Sequence, residues 1–282
     1  MGADAHIAGN SLPFLRVCGL TKHYVRRSGI ARKRIPIAAV RGIDFEIATG
    51  KTLALVGSSG SGKSTVARCV SRLERPDGGQ IWVGDTDISR LGNHDLRPCR
   101  SEIQMIFQDA VTSMNPRFSA AQIIEEPLLI QGRGSKEDRR TRAQEIMSEV
   151  GLAPNSADRS VMEFSGGQRQ RLAIARALAL QPKLLVLDEA LSGLDLSTEA
   201  QITNLLLDLQ AAHSLTYLFI SHDMALVAHL ADAIAVISAG RIVEQGPTAQ
   251  VISSPNHPET KALMAAANAF QKNYADVLGG SR

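Results

Sequence analysis

The sequence has few features that would place it outside the ordinary globular proteins. Only 3 of its 282 residues are cysteine, and Cys18, Cys69 and Cys99 show no C-x-x-C spacing. Scattered cysteines of this kind are typical of reduced, partly buried thiols in a cytosolic protein. The sequence also lacks an apolar run of about 18 residues, the length that a membrane-spanning helix needs. We therefore expect that the chain does not cross a bilayer itself.

The sequence contains no internal repeat, so we expect one module. It also has no large excess of positive or negative charge. The 31 Lys and Arg residues against 28 Asp and Glu leave a net charge of +3, too small to indicate nucleic-acid binding. The first residues, 1–6, contain neither the apolar core of a signal peptide nor the Ser or Thr of a myristoylation site. With 44% hydrophobic residues the chain can bury a substantial core. We expect a cytosolic protein with one domain and an inserted subdomain.

The first informative feature is a glycine-rich loop behind the apolar run 53–56. Its residues are Gly57, Ser58, Ser59, Gly60, Ser61, Gly62, Lys63 and Ser64, in the pattern G-x-x-x-x-G-K-[ST]. Glycines let backbone N–H groups face a phosphate at the N-terminus of the helix that follows. Lys63 is expected to reach the β- and γ-phosphates, and Ser64 to hold Mg²⁺. The alternative is a flexible Gly/Ser loop, and the flanking strand and helix patterns argue against it.

A second apolar run, residues 184–187, ends in two carboxylates. It predicts a buried parallel strand with Asp188 and Glu189 at its carboxyl end, where ligands of open α/β sheets bind. Asp188 suits the coordination of Mg²⁺, and Glu189 can orient and deprotonate the water that attacks a γ-phosphate. The alternative is an acidic start of the following helix, which the helix dipole would favour.

The most specific pattern occupies residues 164–171. It reads Phe164, Ser165, Gly166, Gly167, Gln168, Arg169, Gln170 and Arg171. Ser165 and Gln168 form an S-x-x-Q capping box. A cap alone does not require two adjacent glycines, each of which costs about 1 kcal/mol relative to alanine inside a helix. A loop that brings bare backbone N–H groups against a phosphate does require them.

Other segments predict the surrounding architecture. Alternation at Ile43, Phe45 and Ile47 predicts an antiparallel sheet between about residues 13 and 51. The basic segment 26–36 is expected to be a solvated hairpin extension, or alternatively to contact anionic lipid headgroups. A further helix is expected to begin at a cap and end at a glycine, with four core residues between them. These positions are Ser135 with Asp138, then Ala143, Ile146, Met147 and Val150, and finally Gly151.

The segment 164–171 resembles the LSGGQ signature of the ATP-binding subunits of ABC transporters. Its FSGGQRQR variant is frequent among oligopeptide, dipeptide and nickel importers, and the resemblance extends over nearly all of residues 13–265. It implies an α/β fold with a phosphate-loop, RecA-like core, an antiparallel β-subdomain and an inserted helical subdomain at about 109–165. It also implies that 13–265 form a single ABC ATPase domain and that 247–282 form a C-terminal extension of the peptide-importer type.

The resemblance assigns roles to residues in further motifs. Gln108 matches the Q-loop glutamine, His222 the switch histidine that senses the γ-phosphate, and Tyr24 the aromatic residue that stacks on adenine. Taken alone, they would be a polar loop residue, a surface or capping histidine and a half-buried strand tyrosine. The implied catalytic residues are Glu189, His222 and Gln108, and the implied metal ligands are Ser64, Gln108 and Asp188. The implied nucleotide contacts are Tyr24, Gly57, Ser58, Ser59, Gly60, Ser61, Gly62, Lys63, Ser64, Thr65, Ser165, Gly166, Gly167, Gln168 and Asp195.

Four positions depart from the family pattern. Ala190 and Leu191 replace the usual Pro-Thr after Glu189, and Gly193 replaces alanine in the D-loop, where it adds backbone freedom. In the tail, Glu259 replaces the tyrosine of P-x-H-P-Y-T, while His257 is retained and is expected to be a loop residue rather than a metal ligand. The catalytic residues are unaffected, and the substrate subclass stays open.

The resemblance also implies ligands, partners and a location. ATP and Mg²⁺ are the expected ligands, and the signature loop completes the site of a second ABC ATPase subunit, which we expect to be a different paralogue. Two transmembrane permease subunits and, indirectly, an extracytoplasmic solute-binding protein complete an importer of peptides, nickel or a related chelate. The chain would lie peripherally on the cytoplasmic face of the inner membrane. Nucleic acid is not among the expected partners.

Two other functions and one further cofactor fit the sequence less well. A soluble ABC ATPase acting on DNA or ribosomes usually has two modules in one chain or a long inserted coiled coil, and neither occurs here. A phosphate-loop kinase would leave residues 164–168 unexplained. Some peptide-importer ATPases carry an iron–sulfur cluster on cysteines of the C-terminal extension. Because no cysteine follows Cys99, we expect none held by this chain alone.

Overall fold

The fold was analysed in a computed structural model that describes residues 13–28, 33–108 and 113–267. The chain divides into two compact units, Met1–Gly92 with Tyr217–Arg282, and Asn93–Thr216. In chain order the elements are β1 Pro13–Ser28, β2 Lys33–Ala48, β3 Thr52–Val56, α1 Lys63–Val70, β4 Gly78–Val83, β5 Thr86–Asp87, α2 Leu96–Glu102, β6 Ile103–Ile106, α3 Ala120–Gln131, α4 Lys136–Glu149, α5 Gly166–Leu178, β7 Leu184–Asp188, α6 Leu196–His213, β8 Thr216–Ile220, α7 Met224–Leu230, β9 Ala233–Ser238, β10 Arg241–Pro247 and α8 Thr248–Ser253.

The first unit contains the predicted antiparallel sheet. Its strand order is β2-β1-β4-β5, and the alternating residues Ile43, Phe45 and Ile47 of β2 are buried. This confirms the antiparallel sheet expected between residues 13 and 51. Strands β1 and β2 remain paired as far as Ser28 and Lys33. The centre of the basic segment, residues 29–32, lies outside the described residues.

The same unit contains a parallel layer that carries the glycine-rich loop. Strand β3 pairs in parallel with β8 on one side and with β9 on the other, and β10 pairs antiparallel to β9. Every residue of β3 and β8 is buried, as expected for strands covered on both faces. The strand predicted from residues 53–56 is confirmed. Because Leu55 pairs with Ile220, the loops that follow β3 and β8 leave the sheet at the same edge.

The second unit combines a parallel strand pair with helices. Strands β6 and β7 are parallel, and Ile106 pairs with Leu187. The buried strand predicted before Asp188 is therefore confirmed. Helix α4 begins at a capping box formed by Ser135 and Asp138, and Gly151 follows its end with a φ of 71°. The four predicted core positions, Ala143, Ile146, Met147 and Val150, are buried.

The described residues contain neither a candidate membrane span nor a candidate metal-binding cluster. No helix within 13–28, 33–108 and 113–267 is long and apolar enough to cross a membrane. The same part of the chain contains no group of three or more His, Cys, Asp or Glu side chains that could hold a metal ion. All three cysteines are free thiols, with Cys69 buried and the other two half-buried.

Candidate nucleotide site

The glycine-rich loop connects β3 to α1 and packs tightly on the elements beneath it. A Cβ atom on Gly57 would lie 2.1 Å from the Ile237 carbonyl oxygen, and one on Gly62 would lie 2.5 Å from the Ala39 carbonyl oxygen. Gly240 donates its backbone N–H to the Ser61 carbonyl at 2.9 Å. The loop therefore needs glycine at 57 and 62 because neighbouring backbone occupies the space of a side chain.

Two glycines of this loop allow a matched test of that packing. Gly62 and Gly60 both have a positive φ, 114° and 77°, but no atom lies within 4 Å of a Cβ built on Gly60. We expect Gly60→Ala to cost about 1–2 kcal/mol of folding free energy from its backbone conformation alone. We expect Gly62→Ala to cost about 3 kcal/mol or more because the clash with Ala39 adds to that strain. Urea unfolding without nucleotide measures both, and equal losses would contradict the packing argument.

Lys63 and Ser61 place polar groups inside the loop. Lys63 is 6% exposed, and its ammonium donates hydrogen bonds to the carbonyls of Gly57 at 2.8 Å and Ser58 at 3.0 Å. The Ser61 hydroxyl is buried, and it has no hydrogen-bond partner among the described residues. A buried hydroxyl normally needs a partner. A loop with an ammonium group, an unpaired hydroxyl and a helix N-terminus has the chemistry to bind an anionic phosphate.

His222 lies at the same edge of the parallel layer as the loop. It follows β8 and is exposed, while Ser221 before it is buried. Asp223 caps α7 by accepting hydrogen bonds from the N–H groups of Ala225 at 2.7 Å and Leu226 at 3.3 Å. The N-cap residue of α7 is therefore Asp223, the residue after His222.

Tyr24 lies in β1 with a half-buried side chain. Its hydroxyl donates a hydrogen bond to the Glu74 carboxylate, and the Lys22 ammonium lies 5.8 Å from the centre of its ring. Glu74 also pairs with Arg68 of α1 at 3.5 Å. Burial and the bond to Glu74 raise the pKa of the Tyr24 hydroxyl, so this group stays protonated. No pattern in the sequence indicates that Glu74 orients this ring.

In the second unit, Gln108, Asp188 and Glu189 lie at or just beyond the ends of neighbouring parallel strands. Gln108 is exposed two residues beyond β6, and Asp188 is the last residue of β7 and is 7% exposed. Glu189 is half-buried and has a φ of 50°, a left-handed backbone conformation that is uncommon for a residue with a side chain. The strand register thus places an amide and two carboxylates at one edge of the pair.

The signature segment begins α5 through its predicted capping box. The Ser165 hydroxyl accepts the N–H of Gln168 at 3.3 Å, and the Gln168 side chain accepts the N–H of Ser165 at 3.0 Å. Ser165, Gly166 and Gln168 are exposed. A Cβ atom on Gly167 would lie 2.6 Å from the Thr198 methyl group of α6. The second glycine is therefore required by packing within this unit, a reason that the sequence did not reveal.

Asp195 of the predicted D-loop is the N-cap of α6. Its carboxylate accepts the backbone N–H of Thr198 at 2.9 Å and the Thr198 hydroxyl at 2.7 Å. Both bonds, the backbone bond first, lower the pKa of Asp195. Gly193 has a φ of 78°, a conformation that glycine adopts without the strain of other residues. The departure from alanine at this position therefore suits the observed backbone.

A scan of protein-family models adds the deciding observation. Residues 40–192 match the model described as ABC transporter, and this range contains both the glycine-rich loop and the signature segment. The chain belongs to the ABC transporter family. The family predicted from residues 164–171 is thereby confirmed.

Similar proteins agree with this assignment. A probable peptide ABC transporter ATP-binding protein of Sinorhizobium fredii is 47% identical over 254 residues, which are 90% of this chain and 72% of that protein. The dipeptide transport ATP-binding protein of Escherichia coli is 44% identical over 90% of this chain and 76% of its own length. These relatives support the transporter prediction and not the alternative of an ABC ATPase acting on DNA or ribosomes.

Solved structures confirm the predicted fold class and the ATPase prediction. A dimeric ATP-binding cassette in a post-hydrolysis state, bound to ADP and Pi, superposes with a TM-score of 0.73 at 29% identity, covering 83% of this chain and 98% of that one. The cassette cbiO1 from Clostridium perfringens shares the fold with a TM-score of 0.75 at 24% identity, over 95% of this chain and 99% of that one. The present chain is an ABC ATPase.

Residues 256–260 of this ABC ATPase are hydrogen-bonded to one carboxylate of β10. Glu244 accepts the backbone N–H groups of Asn256 and His257, both at 2.9 Å, and the Thr260 hydroxyl. Burial acts to raise the pKa of Glu244, but these hydrogen bonds outweigh it and lower the pKa. The His257 ring accepts the N–H of Glu259 at 3.2 Å. The segment around Glu259 is therefore held by Glu244, while residues 268–282 of the predicted extension lie outside the described residues.

Proposed function

We propose that this ABC ATPase hydrolyses ATP to drive the uptake of peptides, nickel or a related chelate through partner membrane subunits. The observation that carries this proposal is the similarity over nine-tenths of the chain to ATP-binding proteins named for peptide and dipeptide transport. Similarity in sequence covers 90% of the chain, and similarity in fold to a solved ATP-binding cassette covers 83% of it. Peptides are the substrate class that these relatives favour.

The first unit supplies the residues proposed to bind ATP. The loop Gly57–Thr65 fits a triphosphate because it combines backbone N–H groups, the Lys63 ammonium and the unpaired Ser61 hydroxyl. Tyr24 is proposed to stack on the adenine base, and its ring is already held by Glu74. His222 is proposed to contact the γ-phosphate from the edge where the loop also lies.

Most of the residues proposed for Mg²⁺ binding and hydrolysis belong to the second unit. Asp188, Gln108 and Ser64 of the loop carry oxygen atoms, the donors that Mg²⁺ prefers, and we propose them as its ligands. Bound Mg²⁺ would neutralise the charge that develops on the phosphates. Glu189 is proposed to accept a proton from the attacking water. Ser165, Gly166, Gly167, Gln168 and Asp195 are proposed to complete the ATP site of a second ATPase.

The same proposal covers the assembly. Residues 13–265 form one ABC ATPase domain, with a helical subdomain at about 109–165 and a peptide-importer extension at 247–282. The partners are a paralogous ATPase, two permease subunits and, indirectly, a solute-binding protein. We place the chain peripherally on the cytoplasmic face of the inner membrane.

Affinity purification of the tagged chain from native membranes in mild detergent tests this assembly. We expect a second ATPase in the eluate because a signature loop needs a partner's phosphate loop to complete a site. The resemblance of the tail to peptide importers implies that this ATPase is a different paralogue and that two transmembrane subunits accompany it. A pull-down from the soluble fraction is the control for non-specific capture. Recovery of a single ATPase species would contradict the heteromeric arrangement, and recovery of ribosomes or DNA without membrane subunits would contradict the importer.

A further inference from the structure

The backbone of Glu189 is held in a conformation that it would not adopt by itself. Its φ of 50° lies in the left-handed region, where a residue with a side chain is strained by about 1–3 kcal/mol. Such strain persists only where the surrounding contacts determine the conformation. The direction in which the Glu189 carboxylate leaves the backbone therefore depends on the bonds that fix this turn.

Two residues donate hydrogen bonds to carbonyl groups of this turn. Ser192 donates its backbone N–H at 3.0 Å and its hydroxyl at 2.8 Å to the Glu189 carbonyl. Gln170 donates its side-chain amide at 2.7 Å to the carbonyl of Ala190, the next residue along the chain. Gln170 and Ala190 are 4% and 3% exposed, so water does not compete for this bond.

Gln170 occupies a position where packing alone would accept an apolar residue. Its neighbours Leu172, Ala173 and Ile174 on α5 are all buried and apolar. A buried amide is costly unless its hydrogen bonds are made, and the Ala190 carbonyl would lose its partner if the amide were removed. The hydrogen bond to the Ala190 carbonyl therefore explains why the polar residue Gln170 occupies this buried position.

We propose that Gln170 is a positioning residue for Glu189. By fixing the Ala190 carbonyl, it holds the turn that aims the carboxylate at the attacking water. Because α5 begins directly after Ser165, the bond also joins the signature helix to the segment that carries the base. This inference rests on the proposed function, in which Glu189 accepts the proton.

The test compares Gln170→Met with Gln201→Met in the full chain within its purified complex. Methionine keeps the unbranched shape of glutamine but cannot donate, and Gln201 is an exposed glutamine on α6 that serves as the matched control. A small displacement of a catalytic group can cost up to about 100-fold in rate. We expect Gln170→Met to lower kcat by about 10- to 100-fold. The Kd for Mg·ATP and the turnover of Gln201→Met should both stay within about twofold of the parent.

A second comparison shows whether Gln170 acts through Glu189. In a Glu189→Gln background, Gln170→Met should lower the residual kcat by less than about twofold, because residues that act as a unit are not additive. A full additional loss in that background, or a loss of ATP affinity as large as the loss of kcat, would overturn the proposal. If Gln170→Met does not yield folded chain by circular dichroism, Gln170→Leu takes its place with the same expected results.

The outcomes separate this inference from the function on which it rests. Parental turnover in Glu189→Gln would refute the role of Glu189, and the proposed mechanism would fail with it. Slow turnover in Glu189→Gln together with parental kcat in Gln170→Met would leave the mechanism intact and overturn the positioning role alone.

Discussion

Glu189→Gln is expected to lower the rate of ATP hydrolysis by about 10²–10⁴-fold, the usual loss when a general base is removed. Glutamine has nearly the same shape as glutamate but does not accept the proton of the attacking water. Nucleotide and metal affinity should stay close to the parent because the proposed Mg²⁺ ligands Ser64, Gln108 and Asp188 are unchanged. With binding intact and hydrolysis slow, the closed ATPase pair should accumulate by mass action.

The matched variant is Asp188→Asn, one residue earlier in the chain. Asp188 is proposed to hold Mg²⁺, so this change should weaken the metal site and prevent the closed pair from accumulating. Size-exclusion chromatography or crosslinking in Mg·ATP distinguishes the two variants, with the partner subunit held constant. Equal turnover of Glu189→Gln and parent at saturating ATP would refute the role of Glu189 and direct attention to Gln108 or His222.

Lys63→Ala is expected to abolish measurable ATP binding, raising the Kd by about 100-fold or more. The Lys63 ammonium already makes two hydrogen bonds within the loop, so it lies beside the space that the phosphates are proposed to fill. Each charge-assisted hydrogen bond from the ammonium to a phosphate oxygen would contribute about 1.5–3 kcal/mol. The loss of two such bonds accounts for a loss of affinity of this size. Fluorescence titration with nucleotide measures the effect directly.

Lys51→Ala is the control for this prediction. Lys51 belongs to the same unit and pairs with Asp232 at 2.9 Å, with its side chain 58% exposed. Its removal deletes one positive charge without touching the loop, so ATP affinity should change by less than about twofold. Parental ATP affinity in Lys63→Ala would refute the assignment of the loop as the phosphate site.

Much of the candidate site could be predicted because its signals are local. The capping box of Ser165 and Gln168 lies within four residues, and the strand before Gly57 is a continuous apolar run. The carboxylates of Asp188 and Glu189 follow their strand directly. In each case neighbouring residues fix the local backbone, and the sequence displays that pattern without any knowledge of distant contacts.

The contacts that hold the site were not predictable in this way. The bond from Gln170 to the Ala190 carbonyl joins residues 20 apart, and the bond from Tyr24 to Glu74 joins residues 50 apart. Many polar side chains could make such bonds, and only the packing of helices and strands decides which ones meet. The left-handed φ of Glu189 likewise has no sequence signal, because this conformation usually marks a glycine.

The family, the fold class and the order of the motifs could be predicted from the amino-acid sequence, because glycine spacing, strand patterns and caps act over a few residues. The folded structure shows why particular residues are needed. Gly62 must be glycine because the Ala39 carbonyl lies 2.5 Å from the position of a Cβ atom. Glu189 has its orientation because Ser192 and Gln170 bind the carbonyls of its turn. Close packing and buried hydrogen bonds between distant segments arise only when the chain is folded, so only the folded chain reveals them.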